Sequence, residues 1–242
     1  MKRFVNVLIF CLSGLLGCSV MAAGEPINTL GCILEPSKRL KISSPVPSVI
    51  EALPVDRGQR IKKGDLLFEL QSGIQKAAVN LAEVKAGFAS RNKERNANLY
   101  GEDLLSSHER DEIETEYLVA KMELEAAQEE LALRKVYSTV SGVITDKHNS
   151  EGEYVTTEPV LELAVLNPLN VEVLMPFELF REYRVGSSLT VTLPAPVSGS
   201  YPAKIVIIDP IIDSASGTFR MRLELSNRDY KIPAGVACEL SN

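Results

Sequence analysis

Cysteine and histidine are the side chains best suited to nucleophilic, redox or metal chemistry, and the chain holds four of the first and two of the second. Cys11 and Cys18 lie in an uncharged N-terminal run, while Cys32 and Cys238 stand one near each end of the rest. Two such distant thiols lack the clustered spacing of a zinc site. His108 and His148 fall among polar residues and read as solvated, as do carboxylates such as Glu129 and Glu130. There is no HExxH, no GxSxG and no glycine-rich phosphate loop. The sequence therefore points away from an enzyme, and neither a cofactor nor a metal is expected.

What remains is a chain built to be placed. Lys2 and Arg3 precede an uncharged stretch from Phe4 to Ala23, whose apolar centre, Val7 to Leu16, has the length of an export signal. Three fates fit this segment. Val20-Met21-Ala22 suits ordinary cleavage, Leu15-Leu16-Gly17-Cys18 resembles a lipoprotein box in which Cys18 would be lipidated, and an uncleaved segment could span a bilayer as an anchor. Each puts the rest of the chain outside the cytoplasm, in the periplasm, associated with the inner membrane where an anchor is kept. In an oxidising compartment Cys32 and Cys238 can pair, which would contribute about 5 kcal/mol in the chain-entropy model. The other reading is two buried thiols on neighbouring strands. The net charge of −6 and the absence of tryptophan argue against a nucleic-acid partner.

The elements follow from periodicity. Residues 72–135 contain no proline and are rich in helix formers. Apolar side chains recur at Ile74, Ala78, Leu81, Val84, Phe88 and Leu99, then at Ile113, Tyr117, Ala120, Leu124, Ala127 and Leu131. Steps of three and four predict a coiled-coil seam, with Asn92 and Arg95 interrupting its first half. Gly101-Glu102-Asp103 ends the first helix, and Ser106 to Glu109 reads as a capping box that starts the second. The product is an antiparallel hairpin with arms of about 40 Å.

The flanks of the hairpin repeat each other at an offset of 94 residues: Ser44 matches Ser138, Val46 matches Val140, Ile50 matches Ile144, Gly58 matches Gly152 and Leu67 matches Leu161. Each copy is a group of short strands too small to bury its own apolar face, so the two must pack together with the hairpin emerging between them. The remainder is rich in β signals: Leu169–Met175, Ser188–Leu193, Ala203–Ile208 and a clean alternation over Thr218–Leu225. Pro176 to Tyr183 reads as a short helix, and Leu30–Ile42 as an N-terminal strand of a small barrel.

A split strand repeat with a hairpin between its halves resembles the periplasmic adaptors of tripartite efflux pumps, the HlyD-like membrane fusion proteins. VDRGQRIKKGDLLFEL and YSTVSGVITDKHNSEGEYV are similar to their two lipoyl-like halves, and GTFRMRLELSNRDYKIPAGVACEL to their closing barrel strands. The resemblance implies an elongated mixed α and β fold: a long antiparallel helical hairpin inserted in a lipoyl-like barrel-sandwich, plus a small β-barrel. The expected division is a signal in 1–23, a barrel in 24–42 and 165–242, lipoyl-like halves in 43–71 and 136–164, and the hairpin in 72–135. Family members that dock TolC-like outer-membrane channels carry an Arg, a Leu four residues on and a Ser seven residues after that at the hairpin tip. Arg95, Leu99 and Ser106 have that spacing. The implied partners are such a channel, an inner-membrane transporter of the resistance-nodulation-division, ABC or MFS class, and further copies of the chain in a ring.

Two departures stand out. Pro47-Ser48 replaces the Ser-Gly of the second half, Ser141-Gly142. The sequence stops at Asn242, where many relatives continue into a membrane-proximal domain, so that domain is expected to be lacking. Two other classes compete with this reading. A lipoyl or biotinyl carrier would need a lysine at the turn between the halves, where the hairpin stands instead. An envelope scaffold that uses the hairpin as an oligomerisation arm remains the alternative function.

Overall fold

The computed structural model describes residues 26–100 and 106–242, with backbone alone at 98–100. The leader, Cys18 and the break at Gly101-Glu102-Asp103 lie outside the described residues.

Two long strands organise the β part. β1 (Gly31–Ser43) and β8 (Pro159–Pro176) pair antiparallel over their full length. The first half of β8 also pairs with β6 (Gly142–Lys147), and its second half with β11 (Thr218–Leu225). Both strands thus run through the expected barrel boundaries at 42 and 165. A register shift between Pro36 and Lys38 marks the crossing, and Ser37 Oγ donates there to the Val165 carbonyl at 3.3 Å.

Above that crossing lies the barrel. β9 (Ser188–Leu193), β10 (Gly199–Asp213), β11, β8 and β1 follow one another, and β12 (Glu239–Ser241) pairs with β9. The residues just before β12 close the ring onto β1. The Cys238 amide donates to the Cys32 carbonyl at 3.0 Å, and the Leu34 amide to the Val236 carbonyl at 2.9 Å. The alternation in β11 sends Phe219, Met221, Leu223 and Leu225 inward against Leu34, Val171 and Val191. The short helix read from Pro176 to Tyr183 is a single 3-10 turn, Phe177–Leu179. It is pinned from both sides: the Phe177 amide donates to the Gly217 carbonyl at 3.0 Å, and the Phe180 ring packs edge-on against Phe219.

Below the crossing, the two repeated halves form a sandwich. β3 (Arg60–Ile61), β6, β8 and β1 make one sheet. β2 (Ser48–Ala52), β4 (Leu66–Leu70), β5 (Lys135–Tyr137) and β7 (Tyr154–Val155) make the other. Ile50, Leu67 and Phe68 of the first half are buried with Ile144, Val155 and Leu161 of the second in one core. The matched serines do the same work in each copy: Ser44 Oγ donates to the Val46 carbonyl at 2.5 Å, and Ser138 Oγ to the Val140 carbonyl at 2.6 Å.

Asn227, 3% exposed, fixes the segment after β11 against β8 beside the crossing. Its amide nitrogen Nδ2 donates to the carbonyls of Leu166 and Ile232, its Oδ1 accepts from the Ile232 amide, and its own amide donates to Asn167 Oδ1. Beside it, the Arg60 guanidinium lies 4.9 Å from the centre of the Tyr230 ring.

The hairpin stands on adjacent strands. α1 (Gly73–Tyr100) follows β4, α2 (Ser107–Ala132) precedes β5, and β4 pairs with β5.

Candidate functional site: the hairpin and its tip

The seam of α2 is the one its spacing predicts, with Ile113, Tyr117, Leu124, Ala127 and Leu131 half-buried and Ala120 buried. The seam of α1 is not. Val79, Ala82 and Ala89 are buried, and Ala86, Lys93 and Asn96 continue the line. Ile74, Leu81, Val84 and Phe88, expected inside, are 53–82% exposed. The physical reason is separation. Alanines let the two helix backbones approach closely enough for Tyr117 and Leu124 of α2 to fill the gap, and a row of Leu and Phe on both sides would not fit.

Towards the tip the seam turns polar. Lys93 Nζ pairs with Glu114 Oε1 at 2.9 Å and lies 4.7 Å from the Tyr117 ring centre. Asn96 Nδ2 donates back to the Asn92 carbonyl at 2.8 Å. Asn92 is half-buried, whereas Arg95 is exposed.

At the start of α2, Ser106 closes a full capping box. Its Oγ accepts from the Glu109 amide at 3.3 Å and donates to Glu109 Oε2 at 2.7 Å, while its own amide donates to the same carboxylate oxygen at 2.8 Å. Those bonds, the one from the Ser106 amide first, hold the Glu109 carboxyl below its ordinary value. Ser106 thus has a structural task in the isolated chain. Leu99 lies in the last turn of α1, and its side chain is outside the described residues. The backbone brings Arg95 and Leu99 to one end of α1 and Ser106 to the facing start of α2.

The two remaining cysteines sit at the far side of the molecule, in the barrel. Cys32 and Cys238 are joined, with Cα atoms 5.0 Å apart, across the closing seam of the ring. Among the described residues, no three His, Cys, Asp or Glu side chains converge as metal ligands. Nor is any described helix long and apolar enough to cross a membrane.

The barrel has known counterparts. Residues 169–241 match the CusB-like, beta-barrel domain family. The whole described architecture superposes on a chimera of MacA carrying the α-hairpin of Pseudomonas aeruginosa MexA, with TM-score 0.75 at 21% identity over 90% of this chain and 80% of that one. The chain resembles the membrane fusion proteins, or periplasmic adaptors. The chain is 21% identical to the multidrug resistance protein MexA of Pseudomonas aeruginosa, across 98% of its own length and 70% of MexA. It is 25% identical to the nodulation protein NolF of Rhizobium meliloti (84% of this chain, 59% of NolF). It is also 25% identical to the toluene efflux pump periplasmic linker protein TtgD of Pseudomonas putida (74% and 51%). The chain thus spans between 51% and 70% of the length of the curated relatives it matches. A membrane fusion protein of Streptococcus pneumoniae, Spr0693, shares its fold at TM-score 0.69 and 14% identity, over 88% of this chain and 98% of that one.

Proposed function

We propose that this adaptor is the periplasmic subunit of a tripartite efflux or secretion system, and that its hairpin tip meets a TolC-like outer-membrane channel through Arg95, Leu99 and Ser106. The observation that carries the reading is the hairpin itself: two helices of 28 and 26 residues project from the sandwich, with an arginine exposed near the end. Arg95 can give several donors to a carboxylate or to carbonyls at the ends of partner helices. Leu99 would fill a gap between those helices, and the Ser106 hydroxyl, already engaged in its cap, can accept one further hydrogen bond.

The barrel side would face an inner-membrane transporter, of the resistance-nodulation-division class by the kind of barrel matched. In this reading the adaptor sits in the periplasm, held at the inner membrane by its N-terminal segment, and performs no chemistry. Its work is mechanical, and several weak tip contacts made together give useful avidity. The test is an in-cell crosslink from a photoreactive residue at position 99, with position 121 on the shaft as control. Capture of an outer-membrane channel from 99 and not from 121 supports the reading. Capture of neither, in an exported and folded protein, turns it to the envelope scaffold.

A further inference from the structure

We propose that the root of the hairpin holds a phosphate group, free or as the ester of a small molecule, between the start of α1 and Arg134. The site lies at the opposite end of the hairpin from the tip and does not depend on what the tip meets.

An open cavity of about 550 Å³ lies where both helices leave the sandwich. Ser48 and Glu51 of β2, Ser72, the first turn of α1 and Arg134 line it. Ser72 stands at the N-cap position of α1, since its carbonyl accepts the first helical bond, from the Lys76 amide at 2.9 Å. The amides of Gly73, Ile74 and Gln75 make no hydrogen bond among the described residues. A helix start of this kind presents free donors and partial positive charge. A Cβ on Gly73 would meet nothing within 4 Å, so the approach to these amides is open. α2 meets the same need with Ser106 and Glu109, whereas the first turn of α1 contains no carboxylate.

Two buried groups point to a ligand. Ser72 is 2% exposed, and its Oγ is buried without a hydrogen-bond partner. Nε of Arg134 is buried and equally without a partner, although Glu51 lines the same cavity. Buried polar atoms are seldom left in that condition. Both walls are held by the sheet below: the Leu70 amide donates to the Arg134 carbonyl at 2.7 Å, and the Gln71 amide to the Val49 carbonyl at 2.9 Å.

The repeat adds a third observation. Ser48 matches Gly142 at the offset of 94 residues. In the second half a Cβ would lie 2.4 Å from the Ala164 carbonyl oxygen, which demands glycine. Position 48 accepts a side chain, and its serine lines the cavity. The donors together favour phosphate over carboxylate. Helix amides, two hydroxyls and a guanidinium exceed the acceptor capacity of a carboxylate and suit a tetrahedral group with more oxygens. Arg134 adds the full charge and a planar fork that matches it. Bound there, phosphate bridges the start of α1 and the residue just past α2, and so fixes the angle at which the hairpin leaves the sandwich.

The experiment uses the exported, purified protein in Tris chloride, titrated with inorganic phosphate and separately with glycerol phosphate. Amide shifts at residues 72–75, followed by NMR, should saturate at millimolar ligand, and acetate should bind more weakly than either. Tighter binding of glycerol phosphate makes an ester the source, and equal or weaker binding makes it the free ion. Arg134→Gln should weaken phosphate binding by roughly tenfold or more, and Ser72→Ala by about threefold. Arg181→Gln, an exposed barrel residue, should leave binding unchanged, and Glu51→Gln should tighten it by removing a nearby negative charge. Without phosphate, Ser72→Ala should melt no lower than the parent, because its hydroxyl caps nothing there. Shifts that rise without saturation, equal losses from Arg134→Gln and Arg181→Gln, or acetate binding as tightly as phosphate each overturn the proposal. Binding seen only in Glu51→Gln also overturns it, by making Glu51 the occupant, and so does a lower melting point of Ser72→Ala, by making the hydroxyl an ordinary cap.

Discussion

The amide of Gly58 donates to the carbonyl of Ile144 at 2.8 Å, and 94 residues on, the amide of Gly152 returns the bond to the carbonyl of Ile50 at 2.9 Å. The Ile144 amide in turn donates to Gln59 and the Ile50 amide to Glu153, again partners at the same offset. Each half of the sandwich therefore completes the other by the same set of bonds, which is the structural meaning of the repeat. Both glycines have φ near +85°, and a Cβ on either would meet nothing within 4 Å. Gly58→Ala and Gly152→Ala should each cost about 1–2 kcal/mol from backbone conformation alone, and nearly equally. Gly142→Ala should cost more, about 2–3 kcal/mol, because its Cβ would lie 2.4 Å from the Ala164 carbonyl oxygen. Urea denaturation of the three variants checks the order, and unequal losses at 58 and 152 would refute the equivalence.

Removing Asn227 should loosen the segment after β11 from β8. Asn227→Ala deletes the side-chain bonds to the Leu166 carbonyl and to the Ile232 carbonyl and amide at a buried site, while the backbone bond to Asn167 Oδ1 stays. A loss of about 2–4 kcal/mol is expected. The check is a lower denaturant midpoint at unchanged slope, and a loss under about 0.5 kcal/mol would count against the latch.

The bridge between Cys32 and Cys238 closes the barrel covalently across a separation of 206 residues. Cys32→Ala with Cys238→Ala should cost about 3–5 kcal/mol. The periplasmic protein should also show no free thiol at either position by alkylation and mass spectrometry. Full labelling of both would mean that the bridge does not form in the cell.

The seam of α1 can be tested by size. Ala89→Leu should overpack the 3% exposed site and cost about 1–3 kcal/mol, while Phe88→Ala should change monomer stability by under about 0.5 kcal/mol. The reverse order, read from thermal melts at low protein concentration, would restore the register with Phe88 inside.

Glu109 makes the start of α2 sensitive to acid. Its carboxyl is held below its ordinary value, first by the Ser106 amide and then by the Ser106 hydroxyl. A depressed carboxylate pKa supports the fold above the unfolded value, and that support is lost as pH falls through the folded one. Amide protection at residues 107–110 should therefore fade in that acid window. In Ser106→Ala the Glu109 pKa, followed by NMR, should move up towards its ordinary value, and an unmoved value would exclude the hydroxyl as a contributor.

Much of the molecule was legible in single elements. The capping box, the α2 seam, the alternation of β11 and the repeated halves are local patterns, and local patterns survive folding because each reports on its own backbone. The register of α1 was not legible. Val79, Ala82 and Ala89 and the larger Ile74, Leu81 and Phe88 share helical spacing, and apolar bulk favours the wrong row. Which row turns inward depends on how closely the second helix can approach, a property of the pair. The same holds for the barrel. The sequence supplied strands and two distant cysteines, but only the tertiary structure decided that β1 and β8 run through both cores and that the residues before Cys238 close the ring on Cys32. Those outcomes rest on contacts between segments far apart in the chain, which no local period records.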